Sequence, residues 1–315
     1  MSVLTENALH IDVHGLIHSY PGQKPVLQDL DMQLTGGARC LLVGANGAGK
    51  STLLRILAGR HMTKPDDSVK ILGRSAFHDN RLNFERAYLD TDWGMRTVAF
   101  AGYGCPLQAD IGVSELMMKL QAEFPARREE LIELLGIDLN WRMHQVSDGQ
   151  RRRVQIFIGL LRPFKILLLD EVTVSLDVIV RMDLLKWLKR ESETTGCTIL
   201  YATHIFDGLD DWPTHLHYLS STGKTGWQGT IEECDLYKQY RVKGETSPLL
   251  RVAEHWLRAD LTEKKLLKIK SGESNNEKPE GAGYHASKDP TQAAYNSGGG
   301  FSAGRMASYD FITGK

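Results

Sequence analysis

From residue 8 to about residue 40 apolar and polar side chains alternate: Leu9, Ile11 and Val13, then Val26, Leu30, Met32 and Leu34. A period of two predicts half-buried strands, and Pro21-Gly22 marks a turn between them. At Cys40-Leu41-Leu42-Val43 the alternation gives way to an unbroken apolar run, the pattern of a strand buried on both faces. Ser51 to Ala58 reads as a helix stopped by Gly59, and Val69 to Leu72 as a further strand. Between residues 114 and 135 the spacing turns helical, with Leu116, Met117 and Leu120, then Leu131, Leu134 and Leu135, and Pro125 separates two helices. A third helix follows Ser147-Asp148-Gly149 and carries Val154, Ile156, Phe157, Leu160 and Leu161. Lys165 to Leu169 then reads as a strand, Val178 to Glu191 as a helix and Thr198 to Ala202 as a strand. Buried strands alternating with helices predict a mostly parallel α/β sheet.

No element is predicted between Ala202 and Ser247. There Ser247-Pro248 opens a helix running to about residue 270, and Leu249, Val252, Ala253, Trp256 and Leu257 share one face of it. Docking on the body is the plain reading of that face; binding a partner is the other. From Ser271 to Lys315 the chain is rich in Gly, Ser and Asn, with Gly298-Gly299-Gly300, and poor in apolar residues, which predicts a disordered tail.

The motif that gives this frame its chemistry is Gly44-Ala45-Asn46-Gly47-Ala48-Gly49-Lys50-Ser51, set between the apolar strand and the first helix. It is a complete phosphate-binding loop. Backbone N–H groups of the loop and the helix N-terminus converge on phosphate oxygens. Lys50 reaches the β- and γ-phosphates, the Ser51 hydroxyl ligates Mg²⁺, and Thr52 follows in the first helical turn. The pattern predicts a nucleoside-triphosphate site. A second element completes it: Ile166-Leu167-Leu168-Leu169 ends in Asp170-Glu171. Asp170 is the candidate to hold Mg²⁺ through water, and Glu171 the candidate general base on an attacking water.

Composition adds mainly exclusions. The 315 residues are 42% hydrophobic and 24% charged with a net charge of −1, so no global field points to nucleic acid or to a basic partner. The four cysteines are scattered, without a Cys-x-x-Cys pair, which argues against a disulfide framework or a zinc site. Cys40 and Cys197 flank apolar runs and read as core residues. The N-terminus lacks the charged and apolar regions of a secretory signal. The run from Ile156 to Leu169 is broken by Arg162, Pro163 and Lys165 and falls short of a membrane span. These features argue for a reducing compartment.

Between the two acidic and phosphate-binding elements lies Val146-Ser147-Asp148-Gly149-Gln150, just ahead of a helix and 20 residues before Asp170. Here the chain resembles the ATP-binding-cassette (ABC) ATPases, whose signature is Leu-Ser-Gly-Gly-Gln. Val146 and Asp148 depart from it, while Ser147, Gly149 and Gln150 keep it. Val174-Ser175-Leu176-Asp177 resembles the family's D-loop, and His204 matches its switch histidine. Tyr20 falls where the family places an aromatic that stacks on adenine, with simple packing as a competing reading. The resemblance implies a P-loop NTPase fold with a RecA-like lobe, an antiparallel β subdomain and a helical signature lobe over about residues 92–162. The cassette would occupy 1–245, the terminal helix 246–270 and the tail 271–315.

The same resemblance implies ATP and Mg²⁺ as cofactors and Glu171, His204 and Lys50 as the catalytic set. It also implies that the signature of one chain completes the ATP site of another, so that a working site needs two cassettes, identical or related. Where the family carries a glutamine in a Tyr-Leu-Pro-Gln-like context, this chain has Ala87-Tyr88-Leu89-Asp90-Thr91-Asp92-Trp93; Asp92 and Gln108 are the candidate substitutes.

Arg142 to Gln155, Pro163-Phe164-Lys165 and Tyr201 to Leu209 further resemble the single-cassette eukaryotic ABC proteins of the plant I subfamily and a fungal relative associated with a deadenylase complex. That likeness implies a cytosolic or nuclear ATPase free of transmembrane domains, and it favours one whose nucleotide-driven dimer closure regulates a partner complex. The alternatives are the energising subunit of a transporter with a separate membrane chain, and a non-hydrolysing ATP sensor. Intact Glu171 and His204 argue against the sensor.

Overall fold

The computed structural model describes residues 8–91, 98–100, 103–105 and 110–270. The chain up to Glu263 forms one compact unit. Its first strands, β1 (Leu9–His18), β2 (Leu27–Thr35), β4 (Val69–Ile71) and β5 (Arg74–Ser75), make an antiparallel sheet in the order β2-β1-β4-β5. Along β2 the burial alternates residue by residue, as the sequence pattern predicts for a sheet with one covered face.

The second sheet holds β3 (Arg39–Gly44), β6 (Arg86–Leu89), β9 (Ile166–Asp170), β10 (Thr198–Ala202), β11 (His215–Leu219) and β12 (Thr225–Thr230). Its order is β12-β11-β3-β10-β9-β6, parallel throughout except for β12. β9 and β10 are buried at every position, which is why their sequences read as continuous apolar runs. β7 (Val98–Phe100) and β8 (Tyr103–Cys105) pair as a two-stranded antiparallel ribbon.

Alternation along the parallel strands sorts their side chains into two cores. Cys40, Leu42, Leu168, Leu200 and Ala202 join Leu53, Leu54, Ile56 and Leu57 of α1 (Lys50–Leu57) and the inner face of the antiparallel sheet, including Ile11, Val13 and Met32. Leu41, Val43, Leu167, Leu169, Ile199 and Tyr201 face the other way. There they meet α3 (Pro125–Leu135), α4 (Asp148–Leu161), α5 (Val178–Thr195) and α7 (Pro248–Lys270). The short α2 (Met118–Glu123) precedes α3, with Pro125 at the first position of α3, where its missing N–H costs nothing.

The expected strands and helices through Ala202 are present, with ends that coincide or shift by up to four residues. Between Ala202 and Ser247 the structure adds what the pattern omits: the β11–β12 hairpin and α6 (Asp235–Val242). Trp256 of α7 stacks on both Tyr218 (4.9 Å) and Trp227 (5.7 Å) of that hairpin, and the Tyr218 hydroxyl donates to the Trp256 carbonyl at 3.1 Å. Cys40 and Cys197 are buried free thiols.

Candidate nucleotide site

The register of the parallel sheet aligns its carboxyl ends. Ala202 pairs with both Leu42 and Asp170, and Leu89 with Leu169. Gly44, Asp170, His204 and Asp90 therefore emerge along one edge, where ligands of open α/β sheets bind.

From β3 the chain enters the glycine loop and turns directly into α1. Gly49 sits at φ 105°, a conformation that side-chain-bearing residues rarely adopt, and a Cβ there would press on Leu27 Cδ2 at 2.7 Å. No side chain caps α1 at Gly49. Its first amides, those of Lys50, Ser51 and Thr52, thus remain for an anion. A cleft lined by Val26, Asn46, Gly47, Gly49, Lys50, Ser51, Thr52, Asp170 and Glu171 opens over them. Ala45 is packed beside the core and Ala48 is buried in it.

Within the cleft the Lys50 ammonium donates to the carbonyls of Gly44 at 2.8 Å and Ala45 at 3.2 Å. Burial lowers its pKa, and the negative charges of Glu171 and Asp170 oppose that shift. Burial raises the pKa of Asp170, opposed first by a hydrogen bond from Ser51, while the charges of Glu171 and Asp90 add to the rise. A serine hydroxyl and a carboxylate joined in this way over a phosphate-binding loop are the donor set that a hard divalent cation takes, with phosphate oxygens and waters as its other ligands. Ser51 and Asp170 therefore fit Mg²⁺.

Glu171 adopts φ 54°, in the left-handed region that costs a non-glycine residue conformational energy. Its N–H donates to the Ala202 carbonyl at 3.0 Å, fixing it to the neighbouring strand. Its Oε2 lies 2.8 Å from Nδ1 of His204 and accepts the His204 N–H at 3.4 Å. Tyr20 lies at the rim, its hydroxyl 3.2 Å from Oγ1 of the cleft residue Thr52.

The signature residues do not line this cleft. Ser147 caps α4: its hydroxyl accepts the Gln150 N–H at 3.2 Å, and the Gln150 side chain accepts the Ser147 N–H at 2.9 Å. Gly149 lies close to the D-loop, where a Cβ would meet the Ser175 carbonyl at 3.3 Å. Asp177 caps α5 by accepting the Val180 N–H at 3.0 Å and pairs with Arg153 of α4. The Val180 amide is the first cause holding its carboxyl below the usual range, with Arg153 adding to it.

Asp92 and Gln108 lie outside the described residues. Asp90, which the sequence reading gave no role, follows β6. Its carboxylate meets Arg60 at 3.0 Å, and its carbonyl accepts from Arg152 and Gln155 of α4, both at 2.7 Å. The strand register, with Leu89 paired to Leu169, places it beside Asp170.

With this geometry in hand, comparison with known proteins is decisive. The chain is 51% identical over 252 residues to "ABC transporter I family member 20" of Arabidopsis thaliana, covering 79% of this chain and 73% of that one. It is 50% identical over 263 residues to "ABC transporter I family member 21" of the same plant, covering 82% and 90%. The chain belongs to the ABC family.

This ABC ATP-binding protein matches the family description "ABC transporter" over residues 27–174. It is also 41% identical over 227 residues to "CCR4-associated factor 16" of Saccharomyces cerevisiae, covering 67% of this chain and 75% of that one. Among solved structures it resembles the ATP-binding subunit of an ABC transporter, with a TM-score of 0.62 at 23% identity over 77% of this chain and 98% of that one. A dimeric ATP-binding cassette bound to ADP and Pi gives 0.58 at 18% identity, covering 70% and 98%. These likenesses establish the P-loop NTPase fold. Among the described residues of this ABC protein no helix is long and apolar enough to cross a membrane.

Proposed function

We propose that this ABC protein hydrolyses ATP in a site completed by the signature of a second cassette, and that the resulting closure regulates a partner complex. The observation that carries the reading is the Glu171–His204 pair standing over the same cleft as the phosphate loop. On this reading the loop amides and Lys50 hold the triphosphate, and Lys50 exchanges the Gly44 and Ala45 carbonyls for phosphate oxygens. Ser51 and Asp170 would hold Mg²⁺, which supplies charge neutralisation on the phosphates. Glu171 accepts the proton of the attacking water, and His204 fixes the carboxylate that does so. Tyr20 supports the adenine.

Ser147, Gly149 and Gln150 serve the facing chain. Their place outside the cleft supports this division, since the positive end of the α4 dipole, capped by Ser147, then faces away from this chain's own phosphate loop and toward a second chain's γ-phosphate. Asp177 joins this surface to α4 through Arg153. The likeness to a yeast protein named as a CCR4-associated factor supports a regulatory partner rather than a membrane one. Trapping the Glu171→Gln protein with ATP and Mg²⁺ and recovering bound proteins from detergent-solubilised cells tests this role. Soluble partners or ABC chains support it. A stoichiometric multi-span membrane protein would instead make this chain a transporter's energising subunit.

A further inference from the structure

Three rings close a triangle beside the phosphate loop. His18 ends β1, Tyr20 follows two residues later, and His61 lies just past α1. Ring centroids are 5.3 Å apart for His18 and Tyr20, 5.6 Å for Tyr20 and His61, and 5.6 Å for His18 and His61. Both imidazoles stand nearly perpendicular to Tyr20, at 87° and 89°. Perpendicular edge-to-face packing is a directional arrangement of ring quadrupoles, so it sets the plane of a ring as well as its position.

The triangle is tied to the cleft at three points. The Tyr20 hydroxyl meets Thr52 at 3.2 Å, and Thr52 lines the cleft. Val26, also in the lining, donates its N–H to the His18 carbonyl at 2.8 Å. His61 belongs to the segment leaving α1, the helix whose first turn would bind the phosphates. His18 Nε2 is buried without a hydrogen-bond partner among the described residues, so that side of the imidazole is oriented by packing, not by a polar bond. Burial lowers the pKa of both histidines; the charge of His61 adds to it for His18, and the charges of Arg55 and Arg60 for His61. Neutral imidazoles can share this space without mutual repulsion.

We propose that His61 and His18 are positioning residues for the nucleobase, holding Tyr20 at the angle at which the base of the bound nucleotide stacks. The proposal rests on the reading of the cleft as an ATP site. Because His61 follows the phosphate-binding helix, it keeps the base and phosphate subsites in one frame. Losing its ring should therefore weaken recognition of the base and leave recognition of the phosphates intact.

The test is titration calorimetry on the full chain with Mg²⁺, using ATP and inorganic tripolyphosphate as separate ligands, for wild type, His61→Ala, His61→Phe and Tyr20→Ala. An edge-to-face contact corresponds to about a 2- to 10-fold change in affinity. The expected result is a weakening of that size for ATP in His61→Ala, unchanged tripolyphosphate binding, recovery in His61→Phe, and a larger loss for ATP alone in Tyr20→Ala. Equal weakening of both ligands, or no weakening of ATP, would overturn the positioning role. Wild type that binds tripolyphosphate but gains nothing from the base would overturn it as well. Wild type that binds neither ligand would instead remove the ATP-site reading, and the proposal with it.

Discussion

His204 holds Glu171 from two directions: its ring Nδ1 lies 2.8 Å from Glu171 Oε2, and its backbone N–H donates to the same oxygen at 3.4 Å. The carboxylate therefore has little rotational freedom over the cleft, although the backbone beneath it sits in the unfavourable φ 54° region. Removing the acid while keeping its shape separates chemistry from binding. Glu171→Gln should lower phosphate release about 10²- to 10⁴-fold, the usual worth of a general base, with ATP affinity retained. Steady-state phosphate release beside nucleotide titration checks this.

Lys50→Ala should abolish measurable ATP binding. The ammonium now satisfied by the Gly44 and Ala45 carbonyls is the cation that would face the β- and γ-phosphates. Calorimetric titration with ATP and Mg²⁺ is the readout.

His217 is buried within β11, and burial pushes its pKa down to about 4. Its folded pKa lies below its unfolded value of 6.5, so the unfolded chain binds the extra proton first. The neutral-histidine contribution to stability is therefore complete above about pH 6.5 and is lost progressively as pH falls toward 4. The full swing is on the order of 3 kcal/mol. His10, His18, His61 and His215, also lowered chiefly by burial, act in the same direction. Urea unfolding at pH 7.5 and 5 should show wild type losing more stability than His217→Gln.

Asp177 offers a separable pair of roles. Its cap on α5 should be worth about 1 kcal/mol, whereas its pair with Arg153 is partly exposed and should contribute less than about 1 kcal/mol. Asp177→Ala should therefore destabilise more than Arg153→Ala, and Asp177→Asn should recover most of the difference. Denaturant midpoints of the three variants decide it.

The phosphate loop was legible in the sequence because its chemistry demands contiguous residues at fixed spacing, with glycine where φ and packing disfavour a side chain. The buried strands β9 and β10 were legible for a related reason: burial on both faces removes every polar residue from the run. The β11–β12 hairpin was not. β12 reads Thr-Gly-Trp-Gln-Gly-Thr, with two glycines and a half-exposed edge position, so its pairing comes from β11 rather than from its own propensity. The apolar face of α7 was visible, but the stacking of Trp256 on Tyr218 and Trp227 depends on that hairpin. Asp90 was hidden likewise, because strand register sets it beside Asp170.

A site shared between two chains has a sharp consequence for mixtures of crippled variants. Ser147→Arg leaves a chain with a phosphate loop and no signature, and Lys50→Ala leaves a signature and no phosphate loop. Phosphate release should be measured for each variant alone and for the two mixed. Each alone should show background turnover, and the mixture should recover turnover because one intact composite site forms. Wild-type turnover from Ser147→Arg alone would contradict a shared site.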